Sequence, residues 1–310
     1  MTDPRRTGSS PPAMREPLTS IPLILTTLAS VLATALALRR LRTPQTDRPS
    51  AWPMHLLLGA IALACAAVFG FRVFFVHQAW QPVQAHVDGL LLIAALLAPA
   101  IVYIQSKPKL FGLSVFLLPL LTLILAWGVC ASLWTYRPFK LNTFEPAALV
   151  FHLATIYLGL LCCAIGAGAG AMYLFVQGRL KAKAGLANVK PMASLETLET
   201  LIIRSATLGF VLLTIAMVSG LVIATQDQYA SSLGRAWWAS PKVWLASAAW
   251  ALYALLINVK HTSTFRGRRA AWLAIAGLVL VLATYGVVEV IDRASINQQP
   301  TTAVGAEGGG

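Results

Sequence analysis

Eight stretches of this chain run for 17 residues or more without an aspartate, glutamate, lysine or arginine: 17–38, 49–71, 89–106, 110–136, 146–178, 205–226, 243–259 and 270–288. A helix of about 20 apolar residues crosses the roughly 30 Å hydrocarbon layer of a bilayer, satisfying its own backbone groups as it goes. The runs lack the ten-residue alternating pattern of a membrane barrel strand. Charged residues make up 11% of the chain, against about 25% in soluble domains. That is too few to clothe a soluble fold, which excludes a soluble enzyme and a secreted disulfide scaffold. The chain therefore reads as an all-α polytopic membrane helix bundle of about eight transmembrane helices.

The net charge of +13 has a topological reading. Lysine and arginine collect in loops on the cytoplasmic side. The loops after runs 1, 3, 5 and 7 hold fifteen of them, and the alternate loops and tails hold nine. The first set is therefore cytoplasmic and both termini are external, in a multi-pass protein of a bacterial cytoplasmic (inner) membrane. Nucleic acid is not an expected partner. Residues 1–16 and 293–310 read as disordered external tails, with 17–292 a single eight-span domain. The fifth run, 33 residues long, would reach about 50 Å as a helix, so it must tilt or protrude. It carries Gly166 and Gly170 at GxxxG spacing, which lets another helix approach closely. Runs 1 to 4 look like ordinary lipid-facing helices. The four cysteines, Cys65, Cys130, Cys162 and Cys163, all lie inside apolar runs and read as small core residues.

No nucleophile elbow, phosphate loop or pair of carboxylates at membrane depth appears, so an assembly factor or transporter fits better than a classical enzyme. Chemistry must come from elsewhere. The topology sorts the five histidines by side: His77, His86 and His152 external, His55 and His261 cytoplasmic. A neutral imidazole offers a nitrogen lone pair, and two such nitrogens can hold a haem iron axially. The competing reading is that helix-end histidines sit among headgroups. Trp237, Trp238, Trp244 and Trp250 fall within fourteen residues at the external face. Such indoles populate interfacial belts in any case, but Trp237 and Trp238 are adjacent and precede Ser240-Pro241, which favours a flat external platform. Arg204, at the edge of the sixth run, either snorkels to the interface or pairs with Glu196, Glu199 or an anionic group.

Four ordered fragments resemble a known family: FHLATIYLGLL at 151–161, LETLETLIIRSATLGFVLLTIAMVSG at 195–220, WWASPKVWLASAAWALYALL at 237–256 and RGRRAAWLAIAGLVLVLATYG at 266–286. Over about 149–291 the chain is similar to the cytochrome c assembly protein family of membrane haem handlers. It is most similar to the HemX/YpjD-like, CcsA-related branch. The resemblance implies that His152 matches an external axial haem ligand. It also implies that Trp237, Trp238, Pro241 and Lys242 match a Trp-rich loop that contacts haem. Trp250 and Tyr253 continue that register into the next helix. The sequence departs from the family pattern at Ser240 and Val243, where acids stand in the full loop. Asn258 replaces a histidine, with His261 almost a turn later, and no histidine follows the last span. The second axial ligand is left open among His77, His86, water and a partner's ligand.

The expected function is thus to bind or relay haem at the external membrane face during cytochrome c assembly. The expected partners are haem, membrane lipid, other assembly proteins and apocytochrome c. The alternatives are a non-catalytic membrane regulator or scaffold for haem-synthesis or respiratory enzymes, and a small-solute transporter.

Overall fold

The computed structural model describes residues 16–42, 52–76, 86–110, 112–133, 146–181, 193–224, 241–258 and 267–297. Eight long helices account for nearly all of them: α1 Glu16–Arg42, α2 Trp52–Phe71, α3 His86–Gln105, α4 Leu113–Leu133, α5 Pro146–Lys181, α6 Leu195–Ala224, α7 Pro241–Asn258 and α8 Arg268–Asn297. A π-helical turn, Arg72–Val76, extends α2, and a 3₁₀ turn, Pro108–Leu110, follows α3. Each apolar run coincides with one helix. By length and apolarity, α1 to α6 each contain a segment able to cross a membrane, and α7 contributes a shorter apolar segment, Val243–Asn258. The chain is a multi-pass helical membrane protein. α8 continues to Asn297, five residues into the stretch read as a tail.

The helices form two quartets of like connectivity. In the first, α1 packs on α2, α2 on α3, α3 on α4, and α4 back on α1. In the second, α5 packs on α6, α6 on α7, α7 on α8, and α8 back on α5. The quartets meet where α5 lies against α3 and α4. The first quartet is more than lipid-facing helices. Leu90, Leu91, Ile93, Ala94, Leu97 and Ile101 on α3, with Leu117, Leu118, Leu121 and Leu125 on α4, are fully buried.

Apolar surface cannot drive one helix onto another inside hydrocarbon, because lipid tails are equally apolar. Close backbone approach and interhelical hydrogen bonds act instead. α5 shows how. A methyl group built on Gly166 would lie 3.4 Å from Ser205 Cβ on α6, and one on Gly170 would lie 2.8 Å from the Ala271 carbonyl oxygen on α8. The GxxxG pair thus seats α5 between two neighbours within the bundle. Gly159 and Gly209 make the α5–α6 contact closer still, with Cys162 and Cys163 against Gly209. In the first quartet Thr34 of α1 and Thr122 of α4 share a hydrogen bond of 2.9 Å.

The long fifth run protrudes. Gly168 abuts Leu117 near the start of α4, and Tyr173 packs its hydroxyl against Gly267 just before α8. Gly267 has φ +72°, a left-handed turn that glycine adopts without strain and that bends the chain into α8. Past this level α5 continues from Tyr173 to Lys181, about 12 Å further, with the first turns of α6 beside it. Ser194 caps α6 by accepting the Thr197 N–H at 3.1 Å. This end of the bundle carries Lys107, Lys109, Arg179, Lys181, Arg268 and Arg269 and is termed the basic end.

Gly170 and Gly178 give a direct test of close approach, because the first meets backbone and the second meets nothing within 4 Å. Gly170→Ala is expected to lower stability in detergent by about 1–3 kcal/mol, as overpacking does. Gly178→Ala should leave the unfolding midpoint unchanged or raise it slightly.

Candidate functional site

The opposite end of the bundle gathers the end of α2, the start of α3, the end of α4, the start of α5, the end of α6 and the start of α7. His152 lies on the second turn of α5, half-buried against the last turns of α6. Its Nδ1 is 3.0 Å from Ser219 Oγ, and the Ser219 hydroxyl donates to the Ala216 carbonyl at 3.0 Å. A serine has one proton to give. When that proton goes to Ala216, Ser219 Oγ accepts from Nδ1–H, and this tautomer carries its lone pair on Nε2. The ring rests on Gly220, where a methyl would come within 2.8 Å of His152 Cε1. Glycine at 220 is therefore what lets an imidazole fit between α5 and α6. A histidine whose Nδ1 is held by a neighbouring hydroxyl has a fixed ring orientation, as metal-ligating histidines do.

Further into the bundle, Trp250 of α7 donates its indole N–H to Thr214 Oγ1 at 2.9 Å and stacks on Phe210, with ring centroids 5.3 Å apart. Tyr253, one turn on, is buried against Gly277 of α8. These two aromatics bind α7 to α6 and to α8, and so fix the direction in which α7 enters the bundle. Asn258, at the place where the resemblance expects a histidine, is exposed and donates to the Ala254 carbonyl of its own helix at 2.9 Å.

Sequence reasoning missed one pair altogether. Arg72 Nε donates to Asp88 Oδ1 at 2.6 Å, with both side chains buried, 6% and 0% exposed. Arg72 begins the π turn after α2, and Asp88 lies on the first turn of α3. Removing two charges from water costs several kcal/mol per ion, recovered only in a close, well-bonded pair. Two facts marked it in the sequence: the second apolar run ends at Arg72, and the third begins immediately after Asp88. Read as loop charges, they were not paired with each other. Next to Asp88, Gly89 receives the Tyr157 hydroxyl of α5 directly against its Cα, which docks the start of α3 onto the helix that carries His152.

Of the other sequence candidates, His86 opens α3 at this same end, while Pro241 and Lys242 open α7 there. Trp237, Trp238, His77 and His261 lie outside the described residues. His55 lies near the start of α2, at the basic end. Arg204 is exposed on α6 and makes no ion pair among the described residues, which favours the snorkelling reading over pairing with Glu196 or Glu199. Among the described residues no three metal-ligating side chains converge; the described chemistry at this end is the His152 imidazole, held by Ser219, near the start of α7.

The chain matches the profile of the family described as "Cytochrome C assembly protein" over residues 29–293. The match begins 120 residues before Leu149, where the sequence resemblance was placed, so the first quartet belongs to it too. Similar curated proteins include the cytochrome c biogenesis protein CcsA of Synechococcus sp. (strain RCC307), 28% identical over 164 residues, covering 52% of this chain and 49% of that protein. The CcsA of Prochlorococcus marinus (strain MIT 9215) is 37% identical over 91 residues, covering 29% of this chain and 28% of that protein. That of strain MIT 9303 is 34% identical over 91 residues, covering 29% and 27%. The chain thus spans about half the length, or less, of these relatives. No solved structure matches it significantly.

Two substitutions separate the bonded histidine from the exposed arginine. Ser219→Ala removes the acceptor of His152 and should cost about 0.5–1.5 kcal/mol in thermal or denaturant unfolding, the net worth of one hydrogen bond. Arg204→Lys should stay within about 0.5 kcal/mol of the parent, as for a surface change.

Proposed function

The chain belongs to the cytochrome c assembly protein family, and from that premise we propose that it handles haem at the external face of a bacterial cytoplasmic membrane, delivering it as cargo during the assembly of c-type cytochromes. The observation that supports this reading most directly is the orientation of His152: its Nδ1 is held by Ser219, and in the tautomer protonated there the lone pair sits on Nε2. Haem bound there would present its iron to Nε2 as an axial site.

The remaining roles follow from position. Trp237 and Trp238 immediately precede α7, which starts at the His152 end of the bundle. Adjacent indoles supply the apolar flat wall that a porphyrin needs, with Pro241 and Lys242 continuing that wall into the first turn of α7. Trp250, bonded to Thr214, anchors that helix from within. The second axial position is assigned to the segment between α2 and α3, which carries His77 and His86. His261 follows α7, whose far end lies at the basic end, and serves no external site. The partners in this reading are haem, lipid and either a further assembly protein or apocytochrome c.

The sidedness rests on charge. Among the described residues the basic end carries Lys107, Lys109, Arg179, Lys181, Arg268 and Arg269, whereas the His152 end carries Lys242, Arg293 and an Arg72 neutralised by Asp88. Positive charge marks the cytoplasmic side, so both termini and the His152 end face outward. In a cysteine-free background, a cysteine placed at Ala230 should react with an impermeant thiol reagent in whole cells, and one at Ala184 should not. The reverse pattern would invert every side assigned here.

The haem reading is tested by absorbance of the purified protein. Wild type should carry haem or take it up. His152→Ala should lose most of it or shift its Soret band and weaken cytochrome c maturation. Trp238→Ala should weaken binding with little spectral change, and His261→Ala should leave it intact. A colourless wild type that takes up no haem would favour the alternative of a membrane regulator or scaffold, and deletion should then alter haem-precursor levels instead.

A further inference from the structure

Two cations at the basic end lie where cations at the end of a membrane helix ordinarily do not. A lysine or arginine near such a terminus stretches its stem toward water. Lys107, in the turn after α3, instead folds back by one helical turn, with Nζ 4.8 Å from the centroid of the Tyr103 ring. Arg179 on α5 does the same, with its guanidinium carbon 5.8 Å from the centroid of the Phe175 ring. Tyr103 and Phe175 are both exposed, 62% and 38%, so each cation covers an aromatic ring on the outer surface of the bundle.

Both rings lie in one layer, because close contacts set the level of each helix against the next. Gly128 of α4 meets Leu90 of α3, Gly168 of α5 meets Leu117 of α4, and Gly170 of α5 meets Ala271 of α8. Tyr103 stands thirteen residues from Leu90 toward the basic end, and Val115 stands thirteen from Gly128 in the same direction. Val115 is two residues nearer the basic end than Leu117, as Gly170 is than Gly168. Tyr103 is therefore level with Ala271, and within about 1.5 Å, one residue rise, of its exposed neighbour Trp272. Phe116, next to Val115, meets the Phe175 ring with centroids 5.6 Å apart, which brings Phe175 into the same layer. Exposed tyrosine and tryptophan at a common level mark the membrane–water interface, where lipid headgroups sit.

We propose that Lys107 on Tyr103 and Arg179 on Phe175 are two clamps for the phosphate of an anionic phospholipid. The ring holds one face of the cation by its quadrupole, which keeps the charge at headgroup level. The remaining N–H groups donate to phosphate oxygens as charge-assisted bonds. The exposed rings also give the first carbons of the acyl chains an apolar surface. Charge selects the occupant. Lys109, Lys181, Arg268 and Arg269 stand at this end against Glu196 and Glu199. A choline or ethanolamine headgroup would bring its own cation into that field, whereas a headgroup of net negative charge is attracted by it. The inference does not depend on the haem reading.

The test follows lipid binding by the full chain in detergent. Native mass spectrometry counts the adducts, and the thermal-unfolding midpoint reports stabilisation. The titrants are dioleoyl phosphatidylglycerol, dioleoyl phosphatidylcholine and inorganic phosphate. Wild type should retain phosphatidylglycerol and be stabilised by it, and by neither of the others. Lys107→Gln and Arg179→Gln should each weaken phosphatidylglycerol binding about 5-fold, the share of one cation near an anionic surface. Tyr103→Leu keeps every charge and should weaken binding too, whereas Tyr103→Phe keeps the ring and should not. Lys109→Gln removes the same charge from the same end without touching a clamp, and should have little effect.

Equal retention of phosphatidylcholine overturns the choice of occupant. A response to inorganic phosphate that Lys107→Gln abolishes shows a free-anion site and overturns the lipid. If Lys109→Gln costs as much as Lys107→Gln while Tyr103→Leu costs nothing, the attraction is diffuse charge and the clamps are wrong. A wild type that takes up no haem leaves each of these outcomes readable, so the two readings fail separately.

Discussion

Close backbone approach along α5 is the constraint on which the rest of this structure depends. Inside hydrocarbon no solvent pushes helices together, so contact must come from shape. α5 meets α6 and α8 at glycines, with Gly170 seated tightly on the Ala271 carbonyl of α8 and Gly209 of α6 in contact with Cys162 and Cys163. These small residues let the backbones of α5 and α6 lie close enough for side chains to bond across the seam. The His152–Ser219 contact exists because Gly220 leaves room for the ring. The site and the packing are therefore one arrangement: the small residues that join the helices also set how near the imidazole comes to its acceptor.

The two quartets divide the labour. The second contains the oriented imidazole and the aromatic entry to α7. The first contributes a buried ion pair and the seat for Tyr157. Neither end of the bundle is assembled from one quartet, because α3 reaches α5 at the His152 end and α4 reaches α5 at the basic end. Tyr157 on Gly89 and Gly168 on Leu117 are the two ends of that seam. A buried pair at one of them suits a junction that must hold its register, since a hydrogen-bonded charge pair favours few geometries where aliphatic surfaces allow many.

Much of this was legible in the sequence, for physical reasons. Hydrocarbon forbids unsatisfied backbone and charge, so the eight charge-free runs located the eight helices. The histidine at 152 could be read as a ligand because its depth and side follow from helix rise and loop charge. What was illegible was mutual placement. Arg72 and Asp88 sit sixteen residues apart at the ends of two apolar runs, and nothing in one dimension says that the chain between them returns to close the pair. The closed contact ring of α1 to α4 was invisible for the same reason: apolar residues facing lipid and apolar residues facing protein look alike, so runs 1 to 4 read as lipid-facing when much of α3 and α4 is core. The excess length of run five was legible, but its direction was not. That needed the level at which α4 and α8 begin.

α5 is also mechanically distinctive. Pro22, Pro99 and Pro119 interrupt α1, α3 and α4, but no proline interrupts α5 beyond its first residue, and it runs for 36 residues, about 54 Å. It is a stiff strut with His152 near one tip and Arg179 and Lys181 at the other. A helix longer than the hydrocarbon layer answers a thinner or thicker bilayer by leaning. Because α6 packs along it and the start of α3 is docked on it through Tyr157 and Gly89, a lean of α5 would carry the His152 end with it as one body, and the tilt of that end toward the membrane surface would follow the thickness of the surrounding lipid.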